Sequence, residues 1–175
     1  VLGLGDPAGA PDGVPVRTTE HSAGKGMPTP SGTAAGDMTP GADDAPPTAR
    51  LREAGCVLLG KTTMPDFGML VSGVSSLHGT TRNPWNLKHT PGGSSGGSAA
   101  MVAARVTPIS MASDGGGSTR IPASFCGLVG LKATRGLVPR PLTQSEYMVR
   151  ISCEGVVTRS VRDTAVFYRE AEKIY

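Results

Sequence analysis

The sequence is poor in several residue types that define protein classes. Aromatic residues make up 4% of its 175 positions, and residues 1–50 contain no Phe, Tyr, Trp or Ile. That segment is rich in Gly and Pro and has too little apolar surface to build a core of its own. We therefore expect one domain over residues 1–175, with a Gly/Pro-rich N-terminal part (1–50) followed by its core (51–175).

The sequence also lacks a large excess of charge of one sign and long apolar runs. The formal net charge is +3, and the Lys and Arg residues are scattered, so we expect no nucleic-acid partner. The sequence has no run of 18 apolar residues and no signal-peptide pattern, in which a positively charged start is followed by an apolar run. We therefore expect no membrane partner. These observations predict a cytoplasmic protein.

Cysteine is limited to three residues, Cys56, Cys126 and Cys153. They are far apart, and none belongs to a Cys-x-x-Cys or zinc-type His/Cys pattern. We predict free thiols in a reducing compartment, no metal site and no cofactor.

Short apolar runs alternate with helical patterns along the rest of the chain. Residues 49–54 predict the end of a helix, 56–59 a buried strand, 98–105 a helix and 106–113 a second strand. The Ser-x-x-Asp sequence that begins at Ser160 predicts the start of a closing amphipathic helix. This order indicates an α/β sheet with parallel crossovers.

Two Gly-Ser clusters, residues 92–98 and 114–120, are the candidates for chemistry. Each places a hydroxyl among glycines, whose backbone N–H groups a substrate can approach closely, as an oxyanion hole requires. A flexible linker is the alternative for one such cluster. Two clusters that flank a helix-strand unit make a linker a poor explanation.

Other glycine-loop sites fit less well. Neither cluster matches a dinucleotide or P-loop pattern. Residues 92–96 match the Gly-x-Ser-x-Gly elbow of α/β-hydrolases, but no strand pattern precedes them and no histidine follows His89. We interpret the three histidines as ordinary solvated residues of polar loops: His21, His78 and His89.

Around these clusters the sequence resembles the amidase signature family, which includes fatty acid amide hydrolase and the amidotransferase subunit acting on mischarged glutamyl-tRNA. The match runs through residues 25–29, 60–68, 81–86, 91–100 and 113–130. The segments that look most like nylon-oligomer cyclic-dimer hydrolases and aryl-acylamidases of bacteria are 112–118 and 153–164. The resemblance implies an α/β amidase-signature core with a mixed sheet flanked by helices. Because family members run to several hundred residues, we expect a truncated, partial domain.

The resemblance also implies the site. Ser118 matches the family nucleophile and Ser94 the bridging serine, which follows a cis peptide bond; their spacing of 24 residues equals that of the family. It assigns the oxyanion hole to the backbone of Gly115, Gly116, Gly117 and Ser118, and the bracing of the loop to Asp114, Arg120 and Ser95.

One position departs from the family. Thr19 stands where the family has its catalytic lysine, in a register supported by Lys25 and Ser94. A threonine hydroxyl does not take up a proton at neutral pH. Loss of a positioned base costs roughly 10² to 10⁴ in rate. We interpret Lys61, the alternative base, as a surface or helix-start lysine.

Three hypotheses follow. The first is an amidase that hydrolyses small-molecule amides through a serine acyl-enzyme and is impaired by Thr19. The second is a catalytically silent amidase-like fragment or binding scaffold. The third, a Gly-rich phosphate-binding module, predicts stabilisation by nucleotides. Homo-oligomerisation is kept as a further hypothesis.

Overall fold

The computed structural model describes residues 11–140 and 151–173. Short strands and helices alternate through most of this length, with a single 3-10 turn at Asp66–Gly68. The strands are β1 (Pro15–Thr19), β2 (Val57–Thr62), β3 (Val74–Ser75), β4 (Gly79–Thr80), β5 (Ile109–Asp114), β6 (Val129–Gly130) and β7 (Cys153–Thr158). The helices are α1 (Pro46–Glu53), α2 (Gly96–Ala103), α3 (Arg120–Phe125) and α4 (Val161–Ala171).

The main sheet has the strand order β2-β1-β5-β7-β6. Strand β1 runs parallel to both β2 and β5, whereas β7 runs antiparallel to β5 and β6. The predicted mixed α/β sheet flanked by helices is therefore confirmed. The predicted parallel crossovers are limited to β1, β2 and β5.

Apolar side chains alternate between the two faces of this sheet. Ile109 and Met111 of β5 pack on one face with Leu51 of α1 and Phe167 of α4. The other face is covered by α2 and α3, whose side chains pack on Ala112 and Val157. Each face is thus closed by two helices, and the carboxyl ends of β1 and β5 remain for loops.

Strand β1 lies in the segment whose sequence predicts no core of its own. Val16 of β1 is fully buried, and β1 lies between β2 and β5. Residues 11–50 therefore contribute a central strand to the common core. The alternation of Val14 and Val16 is the only local signal of this strand.

The prediction of a buried strand over residues 56–59 was wrong, because β2 is a partly exposed edge strand. The strand lies at the sheet edge, and Val57 and Leu59 are 49% and 46% exposed. An apolar run does not by itself distinguish a central strand from an edge strand.

Two local predictions, the end of the first helix and the free thiols, agree with the structure. Gly55 stops α1 in a left-handed conformation with φ +83°. All three cysteines are free and buried. Over the residues described, no helix is both long and apolar enough to cross a membrane.

Candidate active site

The two Gly-Ser clusters meet at one open cleft of about 410 Å³. Ser94 and Ser118 both line it, as do Gly115 and Gly116. The backbone N–H of Ser95 donates to the carbonyl oxygen of Ser118 at 3.2 Å, which links the clusters directly. The fold thus brings together two serines that lie 24 positions apart in sequence.

The first cluster leads into α2. The peptide bond Gly93-Ser94 is cis, as the resemblance implies. Gly93 lies against the backbone of the preceding loop so tightly that an added Cβ would stand 2.6 Å from the carbonyl oxygens of Leu70 and Ser72. Only glycine fits there, and this contact sets the position of Ser94 at the cleft.

Ser95 braces the two clusters. Its Oγ accepts from the N–H of Ser113 at 3.3 Å and donates to the carbonyl oxygen of Ser113 at 3.4 Å. Ser113 also lines the cleft. The end of β5 is therefore held against the loop that carries Ser94.

Asp114 organises the second cluster. Its carboxylate accepts from the N–H groups of Gly117 (2.8 Å) and Thr119 (3.1 Å). The Nε and Nη2 of Arg120 both donate to it at 2.9 Å, in a bidentate pair. Burial by itself would raise the pKa of Asp114, but these hydrogen bonds lower that pKa below its ordinary value. An ionised Asp114 thus holds the loop in shape around Ser118.

The hydrogen bond to Asp114 removes Gly117 from the predicted oxyanion donors, because its N–H is already engaged. Over the described residues, no hydrogen bond uses the N–H groups of Gly115, Gly116 or Ser118. All three residues line the cleft. These three N–H groups are therefore the donors that a carbonyl oxygen in the cleft could meet.

Thr19 ends β1 and is 1% exposed. It does not line the cleft with Ser94 and Ser118. Its Oγ1 lies 3.3 Å from Nδ1 of His21. The structure brings the two predicted serines together at the cleft, whereas Thr19 is not among the described residues that line it.

Lys61 is neither a surface lysine nor part of a helix start, so that interpretation was wrong. It lies in β2, and its Nζ donates to the carbonyl oxygens of Glu20 (3.1 Å) and Pro28 (2.7 Å) and to Oγ1 of Thr29 (2.8 Å). Burial lowers the pKa of Lys61 to about 8, against a smaller opposing effect of Glu20. The lysine ties two loops to the sheet beyond the end of β1.

Two of the three histidines are not ordinary solvated residues. His21 Nε2 lies 3.2 Å from Oε1 of Glu154, and His78 Nε2 lies 2.6 Å from Oε1 of Glu20. Only His89 is exposed without such a partner in the described part of the chain. Sequence reasoning missed the carboxylates, because His21 and Glu154 are 133 positions apart and no local pattern relates them.

Over residues 11–140 and 151–173, no three His, Cys, Asp or Glu side chains are grouped to hold a metal ion.

Comparison with known proteins agrees with this arrangement, an α/β fold whose two glycine-rich loops share a cleft. The family model Amidase matches residues 5–174. A 6-aminohexanoate-cyclic-dimer hydrolase from Paenarthrobacter ureafaciens is 53% identical over 118 residues, which are 66% of this chain and 24% of that protein. The chain belongs to the amidase signature family.

Solved structures agree. The 6-aminohexanoate cyclic dimer hydrolase complexed with substrate matches with a TM-score of 0.90 and 39% identity, covering 96% of this chain and 36% of that one. A bacterial aryl acylamidase matches with a TM-score of 0.84 and 33% identity, covering 95% and 35%. The chain spans about a quarter to a third of the length of the curated relatives it matches. The predicted family, including the likeness to these two kinds of enzyme, is confirmed.

Proposed function

We propose that the protein hydrolyses carboxylic amide bonds through a serine acyl-enzyme. The observation that carries this proposal is the cleft shared by Ser94 and Ser118, beside the uncommitted N–H groups of Gly115 and Gly116. A nucleophile and oxyanion donors on one wall are what acyl transfer needs.

In the proposed reaction, Ser118 Oγ attacks the amide carbon and gives its proton to Ser94 Oγ, while Ser94 gives its own proton to the amide nitrogen. The carbonyl oxygen becomes an oxyanion and is held by the N–H groups of Gly115, Gly116 and Ser118. The C–N bond then breaks, and the amine leaves with a proton delivered through Ser94. Water repeats the attack on the ester, so that the acid and free Ser118 are released.

The lining of the cleft supports a substrate with an uncharged acyl group. The cleft is lined, besides its serines and glycines, by apolar side chains: Met69, Leu70, Val71, Ile121 and Ile151. Among the described residues that line the cleft, none is charged. A buried ionised group without a partner is costly, so we propose small, uncharged amides as substrates.

Two further parts of the proposal concern the surroundings of the enzyme. The three free thiols support a reducing compartment, such as the cytoplasm. Among the described residues, β2 forms an edge of the main sheet, and this supports self-association, since a strand edge can pair with a second chain. Sedimentation velocity over a range of concentrations tests the second point.

The first experiment compares hydrolysis of an uncharged acyl anilide by the chain itself, Thr19→Lys and Ser118→Ala. We expect slow turnover by the original chain and an increase in kcat/KM of roughly 10²-fold or more for Thr19→Lys. We expect no turnover by Ser118→Ala. Circular dichroism must show that all three are folded.

A catalytically silent scaffold is the competing function, and it is favoured because Thr19 is not among the described residues that line the cleft. It predicts that all three proteins are equally inert and that a fluorophosphonate does not label Ser118. Labelling of Ser118 together with Ser118-dependent turnover by the chain itself would rule it out.

A further inference from the structure

A second cavity, of about 320 Å³, lies where α2 meets strands β1 and β2. Arg17 of β1 and Lys61 of β2 line this cavity, which we call the Arg17 pocket. Its other described lining residues are small, hydroxylated or apolar: Thr62, Thr63, Thr81, Gly97, Ala100 and Met101. Two cations therefore line one pocket, and no carboxylate among its described lining residues offsets them. None of these residues lines the cleft of Ser94 and Ser118.

The alternation of side chains along β1 places Arg17 on the α2 side of the sheet. Val16 packs in the core with Leu51 of α1 and Phe167 of α4, and the next residue of a strand points to the opposite face. Arg17 is half-buried there. A cation that is partly removed from water needs hydrogen-bond acceptors or an opposite charge to offset the loss of hydration.

The guanidinium of Arg17 has few such acceptors within the described part of the chain. Its Nη1 donates to the carbonyl oxygen of Lys61 at 3.5 Å, which is long for a hydrogen bond. Its Nε is buried and has no hydrogen-bond partner among the described residues. Because a guanidinium carries five N–H donors and no acceptor, an anion in the pocket is the kind of ligand that matches it.

Lys61 contributes its charge to the pocket. Its Nζ already donates to three acceptors, which are the carbonyl oxygens of Glu20 and Pro28 and the hydroxyl of Thr29. An ammonium group has three N–H donors, so none is left for a ligand. Burial lowers the pKa of Lys61 to about 8, and the group is therefore mostly protonated at pH 7. The carboxylate of Glu20 is paired with His78 and does not offset Lys61 inside the pocket.

The rest of the lining limits the charge and the shape of the ligand. The hydroxyls of Thr63 and Thr81 share one hydrogen bond of 2.7 Å, so one of their two protons remains for an acceptor in the pocket. Ala100 and Met101 of α2 line the pocket with apolar carbon. A second negative charge against that carbon would be costly, whereas a short hydrocarbon chain would pack on it.

We propose that the Arg17 pocket binds a small monocarboxylate with a short hydrocarbon chain. The carboxylate accepts from the guanidinium of Arg17 and from the free hydroxyl of the Thr63 and Thr81 pair. The positive charge of Lys61 adds to the attraction, and the hydrocarbon chain packs on α2. This assignment is independent of the proposed amidase function, because the pocket and the cleft have no described lining residue in common.

An NMR titration of the isotope-labelled chain with butyrate at pH 7 and constant ionic strength tests the proposal. Butyramide is the control ligand, since it has nearly the same shape and no charge. All titrations use the Ser118→Ala background, because the proposed activity would convert butyramide into butyrate. We expect saturable binding of butyrate with a Kd on the order of 1 mM, and binding of butyramide at least about tenfold weaker.

Two variants of the pocket and one matched control locate the binding site. Arg17→Gln should weaken butyrate binding about tenfold or more, because a charge-assisted hydrogen bond is lost. Ala100→Leu keeps both cations but fills the pocket, and it should weaken binding as much. Arg162→Gln makes the first change at an exposed arginine of α4 and should leave the Kd unchanged. Thermal melts verify that each variant is folded, and either pocket variant suffices for the test.

Three results would overturn the assignment. The first is butyrate binding that a folded Arg17→Gln or Ala100→Leu variant retains in full, which would place the ligand elsewhere. The second is equal binding of butyrate and butyramide, or no saturable binding of butyrate. The third is binding of inorganic phosphate that depends on Arg17 and is tighter than that of butyrate, since it would show a site for a different class of anion. Failure of anilide hydrolysis by the original chain would leave the assignment unaffected.

Discussion

At the scale of single residues, Asp114 shows how one side chain shapes a loop of glycines. Glycines leave the backbone free to take many conformations, so residues 115–117 need an external constraint. Asp114 provides it through N–H donors in the loop and the guanidinium of Arg120. The resemblance implies that Asp114 and Arg120 brace this loop, and their hydrogen bonds support that assignment.

This arrangement predicts a pH-dependent contribution to stability. Because the pKa of Asp114 is lowered in the folded state, its contribution is full above the unfolded value near 3.9 and is lost as pH falls through the folded value. We expect Asp114→Asn to cost about 1–3 kcal/mol at pH 7. The difference from the original chain should shrink below about pH 4.

Urea unfolding from pH 7 down to pH 3 measures this difference in the free energy of unfolding between Asp114→Asn and the original chain. Asp43→Asn is the matched control, since Asp43 is exposed and should change stability little at any pH. A difference that stays constant over this range would contradict the assignment.

At the scale of elements, α4 is where a local sequence pattern and the structure agree most closely. The Ser-x-x-Asp sequence predicts its start, and Ser160 Oγ accepts from the N–H of Asp163 at 3.1 Å. Helix capping depends on residues within one turn, which is why a local pattern suffices. The edge position of β2 depends on its neighbours, and the sequence prediction of a buried strand there was wrong.

The cap of α4 gives a prediction at this scale. Ser160→Ala should lower the free energy of unfolding by about 1 kcal/mol, because the N–H of Asp163 loses its acceptor. Ser160→Asp keeps an acceptor and should remain close to the original chain. Urea midpoints measure both, and an equal loss in the two variants would show that the cap does not stabilise α4.

At the scale of the whole molecule, the thiols report on how cooperatively the fold opens. Cys56, Cys126 and Cys153 are all buried. Burial raises the pKa of Cys56 to about 12, with smaller effects of Glu170 and Asp12, and that of Cys126 to about 11. Burial and loss of thiolate both suppress reaction with thiol reagents.

We therefore expect the three thiols to react slowly and at one common rate in the native state, a rate limited by global unfolding. Ser160→Ala should accelerate all three together. Ser124→Cys, at an exposed position, is the control and should react at once. Rapid labelling of one native cysteine would instead show local opening around it.

The sequence by itself determined the family, the alternation of helices and strands, and the two serine loops. These features depend on residue type and short spacing, such as a glycine with positive φ or a capping serine. Such patterns can be recognised from residues that are close in sequence, without knowledge of the residues that pack against them. The mixed sheet was predicted through the resemblance, whereas composition and periodicity alone indicated only parallel crossovers.

Tertiary structure alone decided which groups face one another. It placed β1 inside the sheet and brought His21 to Glu154. Contacts between positions more than 100 residues apart follow from strand order and register. Those depend on how the faces of all elements pack together, and no short stretch of sequence encodes that packing.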